Sequence, residues 1–306
     1  MPDDAQQVPL PKVFVNPSAG RGGARRKLPA VRAAFARRNY PVDVIETESS
    51  VDFIGRVREA KAEGSRTMAA MGGDGTLQML AQEVMCSDVK VGVIPAGGGN
   101  DFAAALGISE DPDEAVAAIV KGTTRQVDLV AVKVANGDPR IYLGGGGMGL
   151  DAEAAREANG RFARWPGRIR YLASAITALR RFDGVEIDAE FPAGESPRIQ
   201  QRVLLAAMLN TPTFGGGLRL APEARIDDGK LSMVLLERLS KYEVLTLIPR
   251  LLLTGELKTQ RVTRVKTASV RLSAVGEPWF QGDGELLGQA PVEIRALPGA
   301  LRMIVP

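Results

Sequence analysis

The sequence predicts an α/β plus β fold class, in which a doubly wound α/β domain is followed by a β-sandwich-like domain. In residues 1–127, apolar strands alternate with amphipathic helices, and three of the strands end in glycine-bearing turns. Doubly wound sheets place such turns, and their ligands, outside the carboxyl ends of the strands. Residues 128–306 change to short strands and turns, which is typical of an antiparallel sheet. We set the domain boundary there and leave open a return of the last residues to the first domain.

The composition is that of a folded protein without a nucleic-acid partner. Hydrophobic residues make up 45% and charged residues 25% of the 306 positions, which are ordinary values for a globular chain. The net charge of +3 and the pI near 9.1 are too mild to indicate nucleic acid. They suit an anionic ligand or an anionic membrane surface.

The sequence contains no histidine and a single cysteine, Cys86. These counts exclude an internal disulfide framework, a thiolate metal cluster and imidazole-ligated zinc. They also exclude Ser-His and Cys-His nucleophile pairs. Proton transfer must therefore use a carboxylate, a lysine, a tyrosine or water.

No segment predicts export or insertion into a membrane. The first nine residues lack the apolar core of a signal peptide, and no stretch approaches the roughly 20 apolar residues that cross a bilayer. We therefore expect a cytoplasmic protein with no transmembrane segment, which at most rests on the inner face of the membrane.

The first predicted strand, from Lys12 to Val15, ends in the glycine-rich turn 16–23, NPSAGRGG. A helix with one apolar face follows. The Asn and Ser side chains and Arg21 offer hydrogen-bond donors, so we interpret the turn as a phosphate contact. The alternative is a loop of ordinary turn formers. A strand from Val42 to Glu46 and a helix from Ser50 to Ala62 come next.

The third strand leads into the turn 71–76, MGGDGT, in which a helix begins. Backbone N–H groups at a helix N-terminus bind phosphate, and glycines let the anion approach. Asp74 would repel a bare phosphate, so we expect either a cation between the two or a hydrogen bond that orders the turn. A tight connection in which Asp74 caps the helix is the alternative.

The fourth strand, from Val89 to Ile94, ends in a third glycine turn, 95–101, PAGGGND. Asp111 and Pro112 then predict the N-cap and the first position of another helix. A strand from Gln126 to Val134 leads to the domain boundary.

The second domain is predicted to contain mainly strands. These span Arg140–Leu143, Val185–Phe191, Arg202–Asn210, Leu231–Leu236, Ala268–Leu272 and Val292–Ala296. At the glycine run 144–149 we expect close backbone packing or a bulge. Residues 156–182 predict a basic, aromatic helical segment that suits anionic headgroups or is simply a solvated face. Residues 241–253 predict an amphipathic helix that lines an apolar groove or packs in the core.

Two acidic turns carry the remaining candidate chemistry. Asp227-Asp228-Gly229 fits an ordinary Asp-Gly turn or an oxygen site for a hard cation. Residues 281–285, QGDGE, predict a hairpin tip with carboxylates at Asp283 and Glu285. Because histidine is absent, one of this pair is the best candidate for a base that takes a proton from an alcohol.

Five motifs occur here in the order found in the diacylglycerol kinase catalytic-domain family, which this sequence resembles from about Lys12 to Val305. They are the turns that begin at Asn16, Gly72, Pro95, Asp228 and Asp283. The family includes soluble bacterial lipid kinases and, more distantly, sphingosine and ceramide kinases. The resemblance implies a nucleotide-binding α/β domain, a β-rich substrate domain, a cleft between them, and transfer of the ATP γ-phosphate to a lipid hydroxyl.

The resemblance also implies the roles of individual residues. It implies that Glu285 accepts the proton, that Asp283 orders the metal and water, and that Mg2+ binds Asp228 with the main-chain carbonyls of Arg225 and Lys230. The family usually has threonine at the position of Gly98, where its hydroxyl contacts the nucleotide. The implied ATP-binding residues are Asn16, Thr47, Gly72, Gly73, Asp74, Gly75, Thr76, Gly97, Gly98, Asn100 and Asp101.

Two hypotheses stand beside a lipid kinase that meets its substrate at the membrane surface. The Gly-Gly-Asp-Gly turn also resembles that of NAD kinases and phosphofructokinases, which act on soluble acceptors. A non-catalytic nucleotide-binding regulator is the third hypothesis. Gly98 supports it, whereas Asp74 and the pair Asp283 and Glu285 argue against it. A homodimer is left open.

Overall fold

The computed structural model describes residues 9–134, 137–150, 152–153, 183–239, 243, 254 and 259–306. The predicted helical segment 156–182, and all of 241–253 except residue 243, lie outside these residues. The chain forms two compact units. The first contains the described residues up to Val127 together with Ala300–Pro306, and the second is Asp128–Gly299.

The first unit alternates strands and helices as the sequence predicts. Its elements are β1 (Lys12–Val15), α1 (Ala19–Arg37), β2 (Asp43–Glu46), α2 (Ser50–Ala62), β3 (Thr67–Gly72), α3 (Asp74–Val84), β4 (Lys90–Pro95), α4 (Asp101–Ala105) and α5 (Pro112–Lys121). The strands are parallel and lie in the order β2-β1-β3-β4. The carboxyl ends of β1, β3 and β4 therefore meet at one edge of the sheet.

Helices cover both faces of this sheet because side chains alternate along each strand. Val13 and Val15 pack with α1 and α5 in one apolar cluster. Phe14 points to the other face, where its ring lies 5.7 Å from that of Phe53 on α2. The doubly wound fold class is confirmed. Asp111 caps α5 by accepting from the N–H of Asp113, and Pro112 occupies the first turn, as expected.

The second unit consists mainly of strands. The strands that follow α5 are β5 (Thr124–Val134), β6 (Arg140–Tyr142), β7 (Gly145–Gly149), β8 (Val185–Glu190), β9 (Ile199–Val203), β10 (Leu205–Leu209), β11 (Leu231–Leu236), β12 (Val262–Thr267), β13 (Ser269–Ala274), β14 (Trp279–Gly282), β15 (Glu285–Gln289) and β16 (Val292–Ile304). One set of strands follows the order β16-β13-β8-β9, and a separate antiparallel sheet follows β12-β11-β10-β7-β14-β15. Apolar residues of both, such as Ile187 and Met208, share one core, which confirms a sandwich-like domain.

The strands β5 and β16 each have residues in both units. In β16, Arg302 pairs with Lys90 at the start of β4 in parallel register. The main-chain N–H of Val305 bonds to the carbonyl of Thr123. The last residues of the chain thus add a strand to the sheet of the first unit.

The predicted strand Arg202–Asn210 is wrong as a single element. The structure divides it into β9 and β10, which lie in different sheets, with the break at Leu204. The N–H of Leu204 bonds to the carbonyl of Leu236, and its own carbonyl accepts from Leu150. An uninterrupted apolar run suits either sheet, so the sequence contains no signal for the change of sheet.

The glycine run lies at the centre of the second sheet, where β7 pairs with β10 and β14. A Cβ atom on Gly146 would lie 2.6 Å from the carbonyl oxygen of Gln281 and 3.0 Å from the ring of Tyr142. The expectation of close backbone packing is confirmed.

Among the described residues, no helix combines the length and apolar character needed to cross a bilayer.

We expect Gly146→Ala to destabilise the protein by about 1–3 kcal/mol, because its Cβ atom forces backbone to move in a packed core. Gly55→Ala provides the control, since a Cβ atom at this exposed position of α2 meets nothing within 4 Å. It should stabilise by about 0.5–1 kcal/mol through its helix propensity. Urea denaturation followed by circular dichroism measures both changes, and equal midpoints for the two variants would contradict the packing argument.

Candidate active site

Two of the predicted glycine turns touch each other at the carboxyl edge of the first sheet. β3 and β4 are neighbours, so the turns that follow them begin side by side. A Cβ atom on Gly97 would lie only 2.4 Å from the Cα atom of Gly73. Any larger residue at Gly97 would therefore push the two turns apart.

The N-terminus of α3 opens into this pair of turns without a cap. Its N-cap residue, Gly73, has no side chain to accept a hydrogen bond. The N–H of Thr76 donates a hydrogen bond to the carbonyl of Gly73. Within the described residues, the N–H groups of Asp74 and Gly75 have no acceptor. Uncapped N–H groups at the positive end of a helix favour an anion.

Asp74 connects the two turns by capping a second helix. Its Oδ2 and Oδ1 atoms accept from the N–H groups of Asp101 and Phe102, each at 3.3 Å, at the start of α4. Burial raises the pKa of the Asp74 carboxyl, and the neighbouring charge of Asp101 raises it further, while the backbone N–H groups oppose the shift. A hydrogen bond that orders the turn, one of the two roles expected for Asp74, is therefore present.

The first glycine turn joins the other two through Asn16. Its Nδ2 atom donates to Thr76 Oγ1 at 3.2 Å, and its Oδ1 atom accepts from the hydroxyl of Ser18 at 2.7 Å. Gly20, Arg21 and Gly22 have left-handed φ angles, so the regular part of α1 begins after them. Asn16 and Thr76, which lie 60 residues apart, thus meet at the predicted site.

Thr47 also lies at this edge, but its side chain is buried. Its hydroxyl donates to the carbonyl of Val15 at 2.9 Å, and its N–H bonds to the same carbonyl. Thr47 fastens the end of β2 to β1 in this structure. A contact between this hydroxyl and a nucleotide stays a prediction.

Asn100 is also turned inward. It has a left-handed φ of 60°, and only 5% of its surface is exposed. Its Oδ1 atom accepts from the N–H of Gly97 at 3.0 Å, and its Nδ2 atom donates to the Gly97 carbonyl and to Glu110. Gly98, by contrast, is exposed. The side chain of Asn100 therefore stabilises the turn from its buried side, by bonding to the main chain of Gly97.

In the second unit, Asp283 and Gly284 form the two-residue loop between β14 and β15. Both have positive φ angles, 49° and 89°, which is the type I′ geometry that Asp-Gly sequences favour. The Asp283 carboxylate accepts from the N–H groups of Leu143, Gly144 and Gly145 at 2.6, 3.0 and 3.1 Å. It thereby fixes the backbone at the start of β7.

Glu285 begins β15, and its side chain is 54% exposed. Its Oε2 atom accepts from Arg140 Nη2 at 3.1 Å, while Arg140 Nη1 donates to the carbonyl of Leu286 at 3.3 Å. Its Oε1 atom has no partner in the part of the chain that the structure describes. Of the two hairpin carboxylates, Asp283 is thus engaged with backbone and Glu285 keeps an open oxygen.

Comparison with known proteins identifies the family. A model of the diacylglycerol kinase catalytic domain matches residues 11–132, and one of the YegS C-terminal NAD kinase beta sandwich-like domain matches residues 144–305. A diacylglycerol kinase of Mycobacterium tuberculosis (strain ATCC 25618 / H37Rv) is 30% identical over 300 residues, which cover 96% of this chain and 94% of that protein. This chain belongs to the diacylglycerol kinase family.

Further members extend the comparison. A diacylglycerol kinase of Bacillus subtilis (strain 168) is 25% identical over 298 residues, 96% of each chain. The crystal structure of a diacylglycerol kinase from Bacillus anthracis str. Sterne has a TM-score of 0.70 at 20% identity and covers 97% of both chains, which supports the fold. The resemblance found in the sequence is confirmed. As a member of a kinase family, the protein is a phosphotransferase.

The residues implied to hold Mg2+ lie together on the turn before β11. Asp228 Oδ1 accepts from the N–H of Lys230 at 3.1 Å, and Oδ2 bonds to the ammonium group of Lys266 at 3.0 Å. A carboxylate and main-chain carbonyls are the oxygen donors that a hard cation prefers. The Lys266 ammonium bonds to only one of the two carboxylate oxygens of Asp228. No cluster of three or more metal-ligating side chains occurs in the described residues.

Asp128 supports this turn, and the sequence analysis did not single it out. Its carboxylate accepts from the N–H of Gly229 at 2.6 Å and from that of Gly299 at 2.8 Å. Only 2% of its surface is exposed. The available signal was a lone acidic residue inside the apolar strand VDLVAV, which a core strand does not tolerate without hydrogen-bond donors.

We expect Asp74→Asn to gain stability relative to wild type as the pH rises. The raised pKa of Asp74 means that folding favours its protonated form. The protonated Asp74 side chain therefore contributes to the free energy of unfolding. This stabilisation is fully present below about pH 4 and is lost as the pH rises through the raised pKa. Scanning calorimetry without nucleotide should therefore show the melting-temperature difference, variant minus wild type, increasing from pH 4 to pH 7.

Asp88→Asn, at an exposed position, is the matched control for loss of one carboxylate. A difference for Asp74→Asn that does not change with pH, or that falls toward pH 7, would contradict the argument.

Proposed function

We propose that this protein is an ATP-dependent lipid kinase, which transfers the γ-phosphate of ATP to a hydroxyl of a lipid such as diacylglycerol. The observation that carries this proposal is the uncapped N-terminus of α3 between two touching glycine turns. Three further observations support it: Glu285 has an open oxygen, the family is one of kinases, and its relatives carry the name diacylglycerol kinase.

The phosphates of ATP are proposed to bind at the N–H groups of Asp74 and Gly75. Phosphoryl transfer needs little covalent chemistry from the protein and depends on positioned phosphates and neutralised charge. The helix end provides partial positive charge, and Arg21 at the adjoining turn adds a full one. Bound Mg2+ would supply further charge neutralisation, with Asp228 and the carbonyls of Arg225 and Lys230 as its proposed ligands.

Glu285 is the proposed general base. As the acceptor oxygen bonds to the γ-phosphorus and the bond to ADP breaks, the carboxylate takes the proton of the acceptor hydroxyl. Arg140 holds Oε2, which leaves Oε1 to receive this proton. Asp283 keeps the hairpin in place through its three bonds to the backbone of residues 143–145.

A kinase for a soluble acceptor is the second candidate. The observation that favours it is the match of residues 144–305 to a sandwich domain described as NAD kinase-like. The names of the relatives support the proposed lipid acceptor. We propose that the reaction takes place at a membrane surface on the cytoplasmic side.

The two candidates are separated by assaying transfer of radiolabelled phosphate from ATP to diacylglycerol in mixed micelles, and to NAD in solution. We expect labelled lipid, with a rate that depends on the mole fraction of lipid in the micelle. Labelled NAD with unlabelled lipid would identify the soluble-acceptor kinase. Absence of transfer to diacylglycerol and to NAD, at saturating Mg2+, would contradict both.

We expect Glu285→Gln to lower turnover by about two to four powers of ten, the typical contribution of a general base, and to leave ATP binding unchanged. Glu277→Gln, an equal charge change at an exposed turn residue before β14, should keep wild-type turnover. Steady-state rates and equilibrium binding of a fluorescent ATP analogue measure the two properties. Wild-type turnover in Glu285→Gln would remove this residue from the mechanism.

A further inference from the structure

The glycine turn after β4 is held by residues that lie outside the predicted nucleotide contacts. Glu110, in the loop before α5, accepts a hydrogen bond from Nδ2 of Asn100 at 2.9 Å. Asn100 in turn bonds to both the N–H and the carbonyl of Gly97. Glu110 therefore reaches the contact between Gly97 and Gly73 through a single intervening side chain.

Lys27 of α1 ties the same loop to the start of the turn. Its ammonium group donates to the carbonyl of Pro95 at 3.0 Å and to the main-chain carbonyl of Glu110 at 2.8 Å. The turn is thus held at its first residue, Pro95, by Lys27 and at Asn100 by Glu110. Lys27 and Glu110, 83 residues apart in sequence, are thus joined through the main-chain carbonyl of Glu110.

The carboxylate of Glu110 favours the same orientation of the Asn100 amide as the N–H and carbonyl of Gly97 do. An ionised carboxylate only accepts hydrogen bonds, so it must face the NH2 group of Asn100. The amide oxygen then faces the N–H of Gly97, as the structure has it. The opposite orientation would place the amide oxygen against the carboxylate and the Gly97 carbonyl, and the NH2 group against the Gly97 N–H. It would leave three repulsive contacts at a buried residue.

We propose that Glu110 is a positioning residue for the nucleotide: by holding the Asn100 amide in this orientation, it keeps the Gly97 turn against Gly73 and thereby raises the affinity for ATP. The proposal rests on the proposed function of these turns as the phosphate site. Glu110 itself does not touch the nucleotide in this account, and it takes no part in the transfer of the phosphoryl group.

The test compares Glu110→Ala, Glu110→Gln and the control Glu114→Ala. Glu114 is exposed, lies four residues away and accepts no side-chain hydrogen bond from the described residues. The first readout is equilibrium binding of a fluorescent ATP analogue with Mg2+, which requires no lipid acceptor. The second is the separate effect on KM for ATP and on kcat. Thermal melting establishes that each variant is folded.

We expect Glu110→Ala to weaken nucleotide binding and to raise KM for ATP by about tenfold, the effect of losing one hydrogen bond to a charged group. The value of kcat should change much less. Glu110→Gln should bind within about twofold of wild type, because its Oε1 atom accepts the same bond from Asn100. Glu114→Ala should behave as wild type.

Equal affinity in Glu110→Ala and Glu114→Ala would overturn the proposal. So would equal changes in Glu110→Ala and Glu110→Gln, since these would show an effect of charge and not of the hydrogen bond. If wild type binds the analogue and transfers no phosphate, the kinase function fails while the binding comparison still tests Glu110. If wild type does not bind the analogue, both proposals fail.

Discussion

The contact between Gly73 and Gly97, with the Asp74 carboxylate across it, is the constraint on which the rest of the first unit depends. The neighbouring parallel strands β3 and β4 end side by side, at the pair Gly72 and Pro95. A glycine turn connects each of them to a helix, α3 and α4 respectively. The backbones come so close that neither turn has room for a side chain at the contact. Asp74, the first residue of α3, accepts hydrogen bonds from N–H groups at the N-terminus of α4. Its carboxylate thus holds the N-termini of these two helices together.

This arrangement has an electrostatic consequence. Asp74 accepts from N–H groups at the N-terminus of α4, whereas the N–H groups of Asp74 and Gly75 at the N-terminus of α3 have no acceptor among the described residues. This end of α3 is therefore open to an anion. Burial of the Asp74 carboxyl raises its pKa, so that the ionised form of this side chain costs stability. A carboxylate kept at such a cost to stability is more often found at functional sites than elsewhere. Carboxylates also accept from backbone N–H groups in the second unit. Asp283 accepts from those of residues 143–145, and Asp128 accepts from those of Gly229 and Gly299.

The features that the sequence predicted correctly are those determined by a few neighbouring residues. The Asp111 cap, the Asp283-Gly284 turn and the start of a helix within the turn 71–76 each follow from local backbone preferences. Asp74 as the N-cap of that helix was wrong, since the N-cap is Gly73. The features it did not predict depend on partners distant along the chain. The change of sheet at Leu204 and the addition of β16 to the first sheet leave no local pattern. For the same reason, the motifs indicated candidate site residues but neither the inward-facing side chain of Asn100 nor the pairing of Glu285 with Arg140.

The central claim, that ATP phosphates bind at the open N-terminus of α3, is tested most directly by nuclear magnetic resonance of glycine-labelled protein. Titration with Mg2+ and a non-hydrolysable ATP analogue should shift the amide resonances of Gly73, Gly75 and Gly97. Gly55 and Gly64, which lie on α2 and at its end, serve as internal references and should not move. Saturable binding that leaves Gly73 and Gly75 unshifted would contradict the account.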